Sequence, residues 1–332
     1  MSRLPAALVP LILCLAISAA VAEMSATEIL KKSYYADARA SYSGRIRTTV
    51  YTASGGTSAD VLINRNGAKT RMEYLSGASA GTVLLDDGKS VTQLDSRART
   101  AYVSGTPEAP ERLDLLLANY TAVLVGKDSI AGRNCYTIAV RPKASGNPSK
   151  RLWVDRGTFL ALKTERFSFD GRRTMSSEYT NIDYSKRPDP SIFSIPEGWR
   201  TVRLGASGDS SLESVRSAVG FTPRKPSHVP PGYGFGGYYL RENPRGMRFA
   251  GLRYTNGMNT VSIFERKGQC GNGWGFGRGR GRGQGAPRRG CASCMLDQGD
   301  HAQIACSYTG GLTIVVVGDL SADELGRIAN SF

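Results

Sequence analysis

Apolar and polar residues alternate with a period of two along much of the chain. From residue 42 to residue 183 this alternation recurs in short runs separated by Gly, Asn and Asp turns, which is typical of antiparallel strands joined by hairpins. Two other stretches, residues 23–40 and 107–124, repeat apolar residues every three or four positions and predict helices. We therefore expect an α+β domain with helices packed on one face of a curved antiparallel sheet. The predicted strands are residues 42–51, 60–64, 70–75, 82–85, 90–94, 100–103, 136–141, 151–155, 160–169 and 172–183.

A second, smaller α+β domain is predicted beyond a segment rich in Pro, Gly and Ser. We place a linker at residues 201–214, because Gly208-Asp209-Ser210-Ser211 is typical of a loop. A closing helix is predicted at residues 321–331, opened by a capping box of Ser321 and Glu324. The predicted domains are thus residues 23–200 and 215–332. Strands of the second domain are predicted at residues 238–241, 249–254, 260–265, 303–308 and 312–317, and the last two are predicted to form a hairpin joined by Gly310-Gly311.

The first 22 residues have the pattern of an export signal. Arg3 precedes an uncharged, largely apolar run that ends in Ala20-Val21-Ala22, the small-x-small pattern that signal peptidase accepts. An uncleaved anchor is the alternative, since about 20 apolar residues can span a bilayer, but alanines and Pro10 dilute the run. Cys14 lies inside the run with no small residue before it, which argues against a lipoprotein. We therefore predict a cleaved signal peptide, residues 1–22, and a periplasmic protein.

Positive charge exceeds negative charge, and part of the excess is local. The chain has 43 Lys and Arg against 28 Asp and Glu, a formal net charge of +15, which favours an anionic partner. Nucleic acid is a poor candidate for an exported protein; lipopolysaccharide, a phospholipid surface and an acidic protein remain. A Gly-rich run is interpreted either as a solvated flexible loop or as an anion-binding arm. The arginines of this arm are Arg278, Arg280, Arg282, Arg288 and Arg289.

Five cysteines remain once the signal peptide is removed. Cys135 lies in an apolar strand and is predicted to be a buried thiol. The other four bracket the Arg-Gly run, and in an exported protein such a cluster favours disulfides, which would staple the loop. A four-cysteine zinc site and a redox Cys-x-x-Cys pair are the alternatives, and the connectivity is open. We predict no metal and no cofactor. The disulfide candidates are Cys270, Cys291, Cys294 and Cys306.

The sequence offers little for catalysis. Its two histidines, His228 and His301, have no acid or nucleophile partner in the neighbouring sequence. Residues 77–81 match Gly-x-Ser-x-Gly, but a nucleophile elbow needs a strand before it and a helix after it. Strands are predicted on both sides, so we interpret this motif as a hairpin turn. We therefore predict a binding protein and not an enzyme.

The predicted helix 107–124 is the candidate lid over the concave face of the first sheet. Its apolar side chains would either line a ligand cavity or fill a closed core, and periodicity does not distinguish the two. These candidate ligand-binding residues are Leu113, Leu116, Leu117, Tyr120 and Leu124.

Several short sequences, in this order along the chain, resemble those of the RseB/MucB family. Residues 153–163, Trp-Val-Asp-Arg-Gly-Thr-Phe-Leu-Ala-Leu-Lys, followed by the hairpin Asp170-Gly171, resemble the end of the family's first domain. Four stretches of the second domain also resemble the family. They are its start (residues 229–233), one turn (254–258), the strand after that turn (261–264) and the closing strand (315–320). The resemblance covers roughly residues 25–200 and 215–332, and the insertion at 266–302 departs from it.

This resemblance implies a first domain with the fold of the lipoprotein carriers LolA and LolB, a half-open antiparallel β-barrel with a helical lid around an apolar cavity. It also implies a smaller second domain that helps to bind the periplasmic part of an anti-sigma factor. Members of the family are negative regulators of the envelope-stress response governed by sigma-E, and a lipid or lipopolysaccharide signal releases the anti-sigma factor.

The resulting prediction is a periplasmic negative regulator that binds an anti-sigma factor's periplasmic segment and senses a lipid or acyl ligand. The alternative on the same barrel is a periplasmic carrier of lipids or lipoproteins, which would not need the second domain. The insertion could alter the surface that meets the partner. The sequence leaves the oligomeric state, including a homo-oligomer, open.

Overall fold

A computed structural model of the chain describes residues 24–105, 112–203, 209–242, 247–269 and 303–332. Helix α1 (Ala26–Ala36) begins at Ser25, whose side chain accepts a hydrogen bond from the Glu28 amide while the Glu28 carboxylate accepts one from the Ser25 amide. This capping box satisfies two backbone donors that a helix start would otherwise leave unpaired. A short 3₁₀ turn, Asp37–Arg39, then leads into the first strand.

The first domain is built on a sheet of twelve strands. They are β1 (Ser41–Thr52), β2 (Gly55–Asn66), β3 (Lys69–Tyr74), β4 (Val83–Asp86), β5 (Ser90–Asp95), β6 (Thr100–Gly105), β7 (Tyr120–Ile130), β8 (Arg133–Pro142), β9 (Ser149–Asp155), β10 (Ala161–Phe167), β11 (Arg173–Asp183) and β12 (Arg200–Arg203). Their spatial order is β12-β6-β5-β4-β3-β2-β1-β11-β10-β9-β8-β7. Strand β12 runs parallel to β6, and the other neighbours are antiparallel. The sheet stays open, with β12 and β7 at its two edges.

Helices cover one end of this open sheet. Helix α2 (Leu113–Asn119) and α1 both pack against β7, β8 and β9, where Ile29, Leu116 and Ile138 are almost inaccessible to solvent. A neighbouring cluster includes Tyr42 and Trp153, which are also buried. The predicted α+β class, with a half-open first sheet and helices packed against it, is confirmed.

The second domain has a smaller sheet of six strands. The elements in chain order are β13 (Asp209–Ser210), α3 (Leu212–Val219), β14 (Gly234–Glu242), β15 (Arg248–Thr255), β16 (Thr260–Lys267), β17 (Gln303–Thr309), β18 (Leu312–Gly318) and α4 (Ala322–Ala329). The strands lie in the order β13-β14-β15-β16-β18-β17. Helix α4 places Leu325 and Ile328 on the sheet, in a core with Ile263 and Ile314.

Turn chemistry explains one of the predicted hairpins. Gly310 and Gly311 form a two-residue loop between β17 and β18, and both have positive φ, 55° and 77°. A two-residue hairpin of this kind needs left-handed backbone at both positions, which glycine adopts without a steric penalty. The predicted hairpin at Gly310-Gly311 is therefore confirmed.

The sequence prediction was wrong at the end of the candidate lid helix. The helix ends at Asn119, and Tyr120 and Leu124 lie on strand β7 instead. Alternating β-branched residues at Thr121 and Val123 favour extended backbone, and pairing with β8 then provides the main-chain hydrogen bonds. Residues 107–111 of the predicted helix lie outside the described residues.

The predicted linker at residues 201–214 contains regular structure at both ends. Arg200–Arg203 forms β12 on the large sheet, Asp209–Ser210 forms β13 on the small sheet, and α3 begins after Ser211. In the part of the chain that the structure describes, no helix is long and apolar enough to cross a membrane.

Candidate functional site

The five predicted lid residues all belong to one apolar cluster. Leu116 and Tyr120 are only 1% and 3% exposed, and Leu113, Leu117 and Leu124 are half-buried against them. The cluster is completed by side chains of α1, β8 and β9. The structure thus brings the five residues together, three of them on α2 and two on β7. Their contact with a ligand stays a prediction, and the cavities described next have other linings.

An apolar cavity of about 390 Å³ opens on the face of the large sheet. Its walls come from β1, β2, β3 and β11, with Ile46, Val61 and Met72 among the apolar side chains. The turn at residues 77–79 closes one side. This turn joins β3 to β4, which are antiparallel neighbours, so the interpretation of Gly-x-Ser-x-Gly as a hairpin turn is confirmed.

The sequence reasoning missed this cavity because it looked for apolar residues in a helix. The lining strands alternate as any half-buried strand does, so their sequence alone does not reveal whether a helix covers their inner face. The one available signal is the small residues Ser58 and Ala59, which leave room on the sheet surface.

The two domains meet at a tight turn between β15 and β16. The turn residue Gly257 has φ of 99°, and a Cβ atom there would lie 2.2 Å from the backbone nitrogen of Leu116 in α2. No side chain fits at that separation, so only glycine allows the turn to reach the helix. Next to it, Met258 packs against the buried cluster of the first domain.

Asn256 occupies the centre of this junction and is 2% exposed. Its side-chain NH₂ donates to the Tyr120 hydroxyl at 2.9 Å and to the side-chain oxygen of Asn147 at 3.1 Å. Its side-chain oxygen accepts hydrogen bonds from two amides of its own turn. Its main-chain carbonyl accepts a further hydrogen bond, from the side-chain NH₂ of Asn119 at the end of α2. Both polar atoms of the amide are satisfied, as a buried amide requires.

A second layer of the junction is equally well paired. Tyr233 donates from its hydroxyl to the side-chain oxygen of Asn147 at 3.0 Å and accepts from the side-chain NH₂ of Asn259 at 2.7 Å. Burial raises the pKa of Tyr120 and of Tyr233 well above the ordinary range, so both hydroxyls stay neutral. The network therefore carries no charge and fixes one domain against the other.

This junction explains a motif that the sequence analysis could only describe. Residues 254–258 resemble the family in sequence, and three of them, Asn256, Gly257 and Met258, lie between the domains. His228, for which the sequence offered no partner, lies with its Nε2 2.7 Å from a carboxylate oxygen of Glu324 in α4. That pair joins residues 96 positions apart and has no local signal.

Two of the cysteines considered in the sequence analysis fall on described residues. Cys135 is fully buried, as predicted, and burial raises the pKa of its thiol to about 11, which keeps it protonated and unreactive. Cys306 lies half-buried on β17 beside Val315 and Phe264. Three disulfide candidates lie outside the described residues: Cys270, Cys291 and Cys294.

The anion-binding arm also lies outside the described residues, with all five of its arginines: Arg278, Arg280, Arg282, Arg288 and Arg289. Within the described ranges, no group of three or more His, Cys, Asp or Glu side chains is arranged to hold a metal ion.

Comparison with known proteins decides the family. Residues 25–194 match the model of the MucB/RseB N-terminal domain, which is just over half of the chain. The chain belongs to the MucB/RseB family. Its similarity to a solved MucB/RseB structure extends across both domains: the Pseudomonas aeruginosa MucA/MucB complex aligns with a TM-score of 0.62 at 19% identity, over 92% of this chain and 97% of the other.

Two further structures of MucB give similar alignments. MucB in complex with MucA(peri) has a TM-score of 0.61 at 19% identity, and a crystal structure of MucB has a TM-score of 0.58 at 18% identity. These alignments cover 92% of this chain and 97% and 96% of the other chains. At this level of identity the likeness establishes the shared fold. No curated protein sequence matches the chain.

Proposed function

We propose that this protein is a periplasmic negative regulator of an envelope-stress response of the sigma-E type, which binds the periplasmic segment of an anti-sigma factor. The observation that carries the proposal is the alignment over 92% of the chain with MucB from its complex with MucA. That alignment includes the second domain, which a simple carrier on the same sheet would not require. A binding role, without catalysis, is part of this proposal.

The neutral junction supports binding across both domains. A partner that touches two domains binds more tightly when their relative orientation is fixed beforehand, because less freedom is lost on binding. Asn256 and Gly257 fix that orientation here, through contacts that reach α2 and β7. We expect the anti-sigma segment to contact surfaces on both sides of the junction.

We also propose that the protein senses a lipid or acyl ligand, and the apolar cavity in the large sheet supports this second part of the proposal. At about 390 Å³ it lies within the size range of small-molecule sites. Its position on the open sheet, away from the helices α1 and α2, leaves an entrance for an acyl chain. The same cavity is also the observation that favours the alternative function, a carrier of lipids or lipoproteins.

The Arg-Gly segment and its cysteines extend the proposal to the partner surface. We expect the arginines to form an arm that meets an acidic partner or lipid phosphates, stapled by disulfides at its base. Deletion of residues 271–290 should then weaken partner binding at low salt much more than at high salt, because screening removes a charge-based contribution.

Co-purification from envelope extracts tests the function directly. A tagged chain should recover a single-pass anti-sigma factor and protect its periplasmic segment from proteolysis. Deletion of the gene for this protein should raise the output of the sigma factor. Recovery of lipoproteins alone, with sigma-factor output unchanged by the deletion, would reject regulation and favour the carrier.

A further inference from the structure

A second groove, of about 610 Å³, lies between α1 and the β9–β10 hairpin, apart from the apolar cavity and from the domain junction. Its lining combines cations with aromatic rings. The cations are Lys31, Lys32 and Arg39, all of them exposed. The aromatic residues are Tyr35, Phe159 and Tyr184. Among the described residues that line the groove, none carries a negative charge.

Three carboxylates close to this lining are already engaged. Glu28, on α1 one turn before Lys31 and Lys32, accepts hydrogen bonds from the amide and the hydroxyl of Ser25. Asp37, on the turn after α1, faces Arg65 at 3.8 Å. Asp155, at the end of β9, is 1% exposed and accepts hydrogen bonds from Arg133, from the Gly157 amide and from the Tyr184 hydroxyl. The groove wall itself therefore contributes three cations and no carboxylate, and Glu28 on the same helix offsets only part of the charge of Lys31 and Lys32.

The backbone at Phe159 is an unusual feature of this groove. Phe159 has φ of 61°, in the left-handed region that bulky residues rarely adopt because of its steric cost. A glycine at this position of the loop would carry no such cost. The strained conformation places the Phe159 ring 4.6 Å from the ammonium of Lys32, at the groove wall.

The hairpin loop that carries Phe159 is held firmly. The Phe159 amide donates to the Asp155 carbonyl at 2.9 Å, and the Thr158 hydroxyl lies 3.0 Å from that of Tyr184. Strain that persists in a well-anchored loop commonly marks a functional position. The ring of Phe159 and the cations beside it thus form a preorganised surface.

We propose that this groove binds the phosphate headgroup of an anionic phospholipid, and that it docks the protein on an anionic membrane surface. Lys and Arg side chains meet the phosphate, while the aromatic rings contact the glycerol and upper acyl region, where amphipathic rings are favoured. Tyr35, half exposed at 50% beside the groove, is positioned to enter the interface. The proposal rests on the groove itself and does not depend on anti-sigma factor binding.

Vesicle sedimentation with the whole chain from residue 23 tests the charge. Phosphatidylglycerol in phosphatidylcholine should bind the protein at low salt and release it at high salt, and pure phosphatidylcholine should not bind. Each basic residue near an anionic surface contributes about 1 kcal/mol, or about fivefold in affinity. The double variant Lys32→Gln/Arg39→Gln should therefore bind about 25-fold more weakly. Its matched control is Lys89→Gln/Arg97→Gln, which removes the same charge from exposed turns elsewhere. Equal losses in both double variants would overturn the groove assignment.

Phe159→Gly separates a binding role from a packing role. If the ring serves the groove, the variant loses vesicle binding several-fold, whatever the net change in unfolding temperature, because Phe159 also packs against the buried cluster below α1 and its removal sets lost packing against relieved backbone strain. If the ring only fills space, the unfolding temperature falls and vesicle binding is unchanged, which would overturn the proposal.

Soluble probes place the headgroup. Dihexanoyl phosphatidylglycerol, which forms no bilayer at low concentration, should bind with the same loss in Lys32→Gln/Arg39→Gln. Binding of inorganic phosphate or of an acidic peptide without any binding of phosphatidylglycerol vesicles would overturn the lipid assignment.

Discussion

The domain junction and the surroundings of Glu265 both bury polar groups, but they do so by opposite means. At the junction, Asn256 has its side-chain donor and acceptor atoms paired, and no member of the network is charged. Glu265, on β16, is 0% exposed, and its carboxylate accepts from the backbone amide of Arg224 at 3.0 Å. The guanidinium of Arg224 turns elsewhere, with one nitrogen 3.4 Å from the Thr309 carbonyl and a buried Nε that has no hydrogen-bond partner among the described residues.

This difference shows what a buried polar group needs in order to be independent of pH. Burial raises the pKa of Glu265 to about 7, against an ordinary value of 4.5, and the amide and charge of Arg224 only partly oppose the shift. The neutral network at the junction titrates far from any physiological pH. The contribution of the junction to stability should therefore be independent of pH, whereas that of the region around Glu265 should depend on pH.

The largest expected effect comes from breaking the junction at its closest contact. In Gly257→Ala the new Cβ would overlap the backbone of Leu116, and alanine also disfavours φ of 99°. We expect a loss of about 4 kcal/mol, from overpacking and from backbone strain together. Calorimetry should show one unfolding transition splitting into two as the domains uncouple.

Gly171→Ala is the matched control for that variant. Gly171 has φ of 82°, but a Cβ there meets nothing within 4 Å, so only the strain of about 1–2 kcal/mol applies. Equal losses in the two variants would mean that the contact with α2 contributes nothing.

The next effect tests the charge of Glu265. Because its folded pKa is raised, the folded state holds the proton more tightly, so this residue's contribution to stability is complete below about pH 4.5 and is lost as the pH rises to about 7. Glu265→Gln keeps an acceptor for Arg224 without the charge. We expect it to be about 3 kcal/mol more stable than the natural chain above pH 7 and about equal at pH 4. Urea unfolding across this range measures the difference, and two parallel pH curves would contradict it.

Asn256→Ala tests the hydrogen bonds of the junction without a steric clash. The substitution leaves the Tyr120 hydroxyl and the Asn147 side chain without their shared donor in a buried place. We expect a loss of about 2 kcal/mol in the free energy of unfolding, independent of pH between 5 and 8. Asn181→Ala, at an exposed asparagine, should change it by less than about 0.5 kcal/mol. A pH-dependent loss in Asn256→Ala would contradict a neutral network.

The smallest expected effect concerns Asp155, a buried carboxylate that, unlike Glu265, accepts hydrogen bonds from several donors. Burial raises the pKa of Asp155, but hydrogen bonds from Arg133 and Gly157 outweigh it, so the pKa is lowered below its ordinary value of 3.8. Its stabilising contribution is therefore present at neutral pH and lost as the pH falls below that value. Asp155→Asn should cost about 1 kcal/mol at pH 7 and clearly less at pH 2. Thermal unfolding at both pH values measures this, and a cost that grows on acidification would have the wrong sign.

The sequence by itself determined the strand pattern, the α+β class, the buried position of Cys135 and the resemblance to the family. These follow from local information: the period of the apolar residues, the glycine turns, and short motifs in a fixed order. The hairpin at Gly310-Gly311 could be predicted because the backbone demand and the residue that meets it lie at the same place. The prediction that the lid helix continues past Asn119 was wrong, because the pairing of β7 with β8, a tertiary interaction, overrides helical periodicity from Tyr120 onwards.

Only the tertiary structure decided where chemistry can occur. The junction pairs Tyr120 with Asn256, 136 positions away, and the cationic groove joins α1 to a loop more than a hundred residues further along the chain. Neither pairing leaves a trace in local sequence, since each residue type is ordinary where it stands. Periodicity indicates which side of a strand or helix is apolar, whereas the packing of distant elements determines whether that side is covered, open or charged.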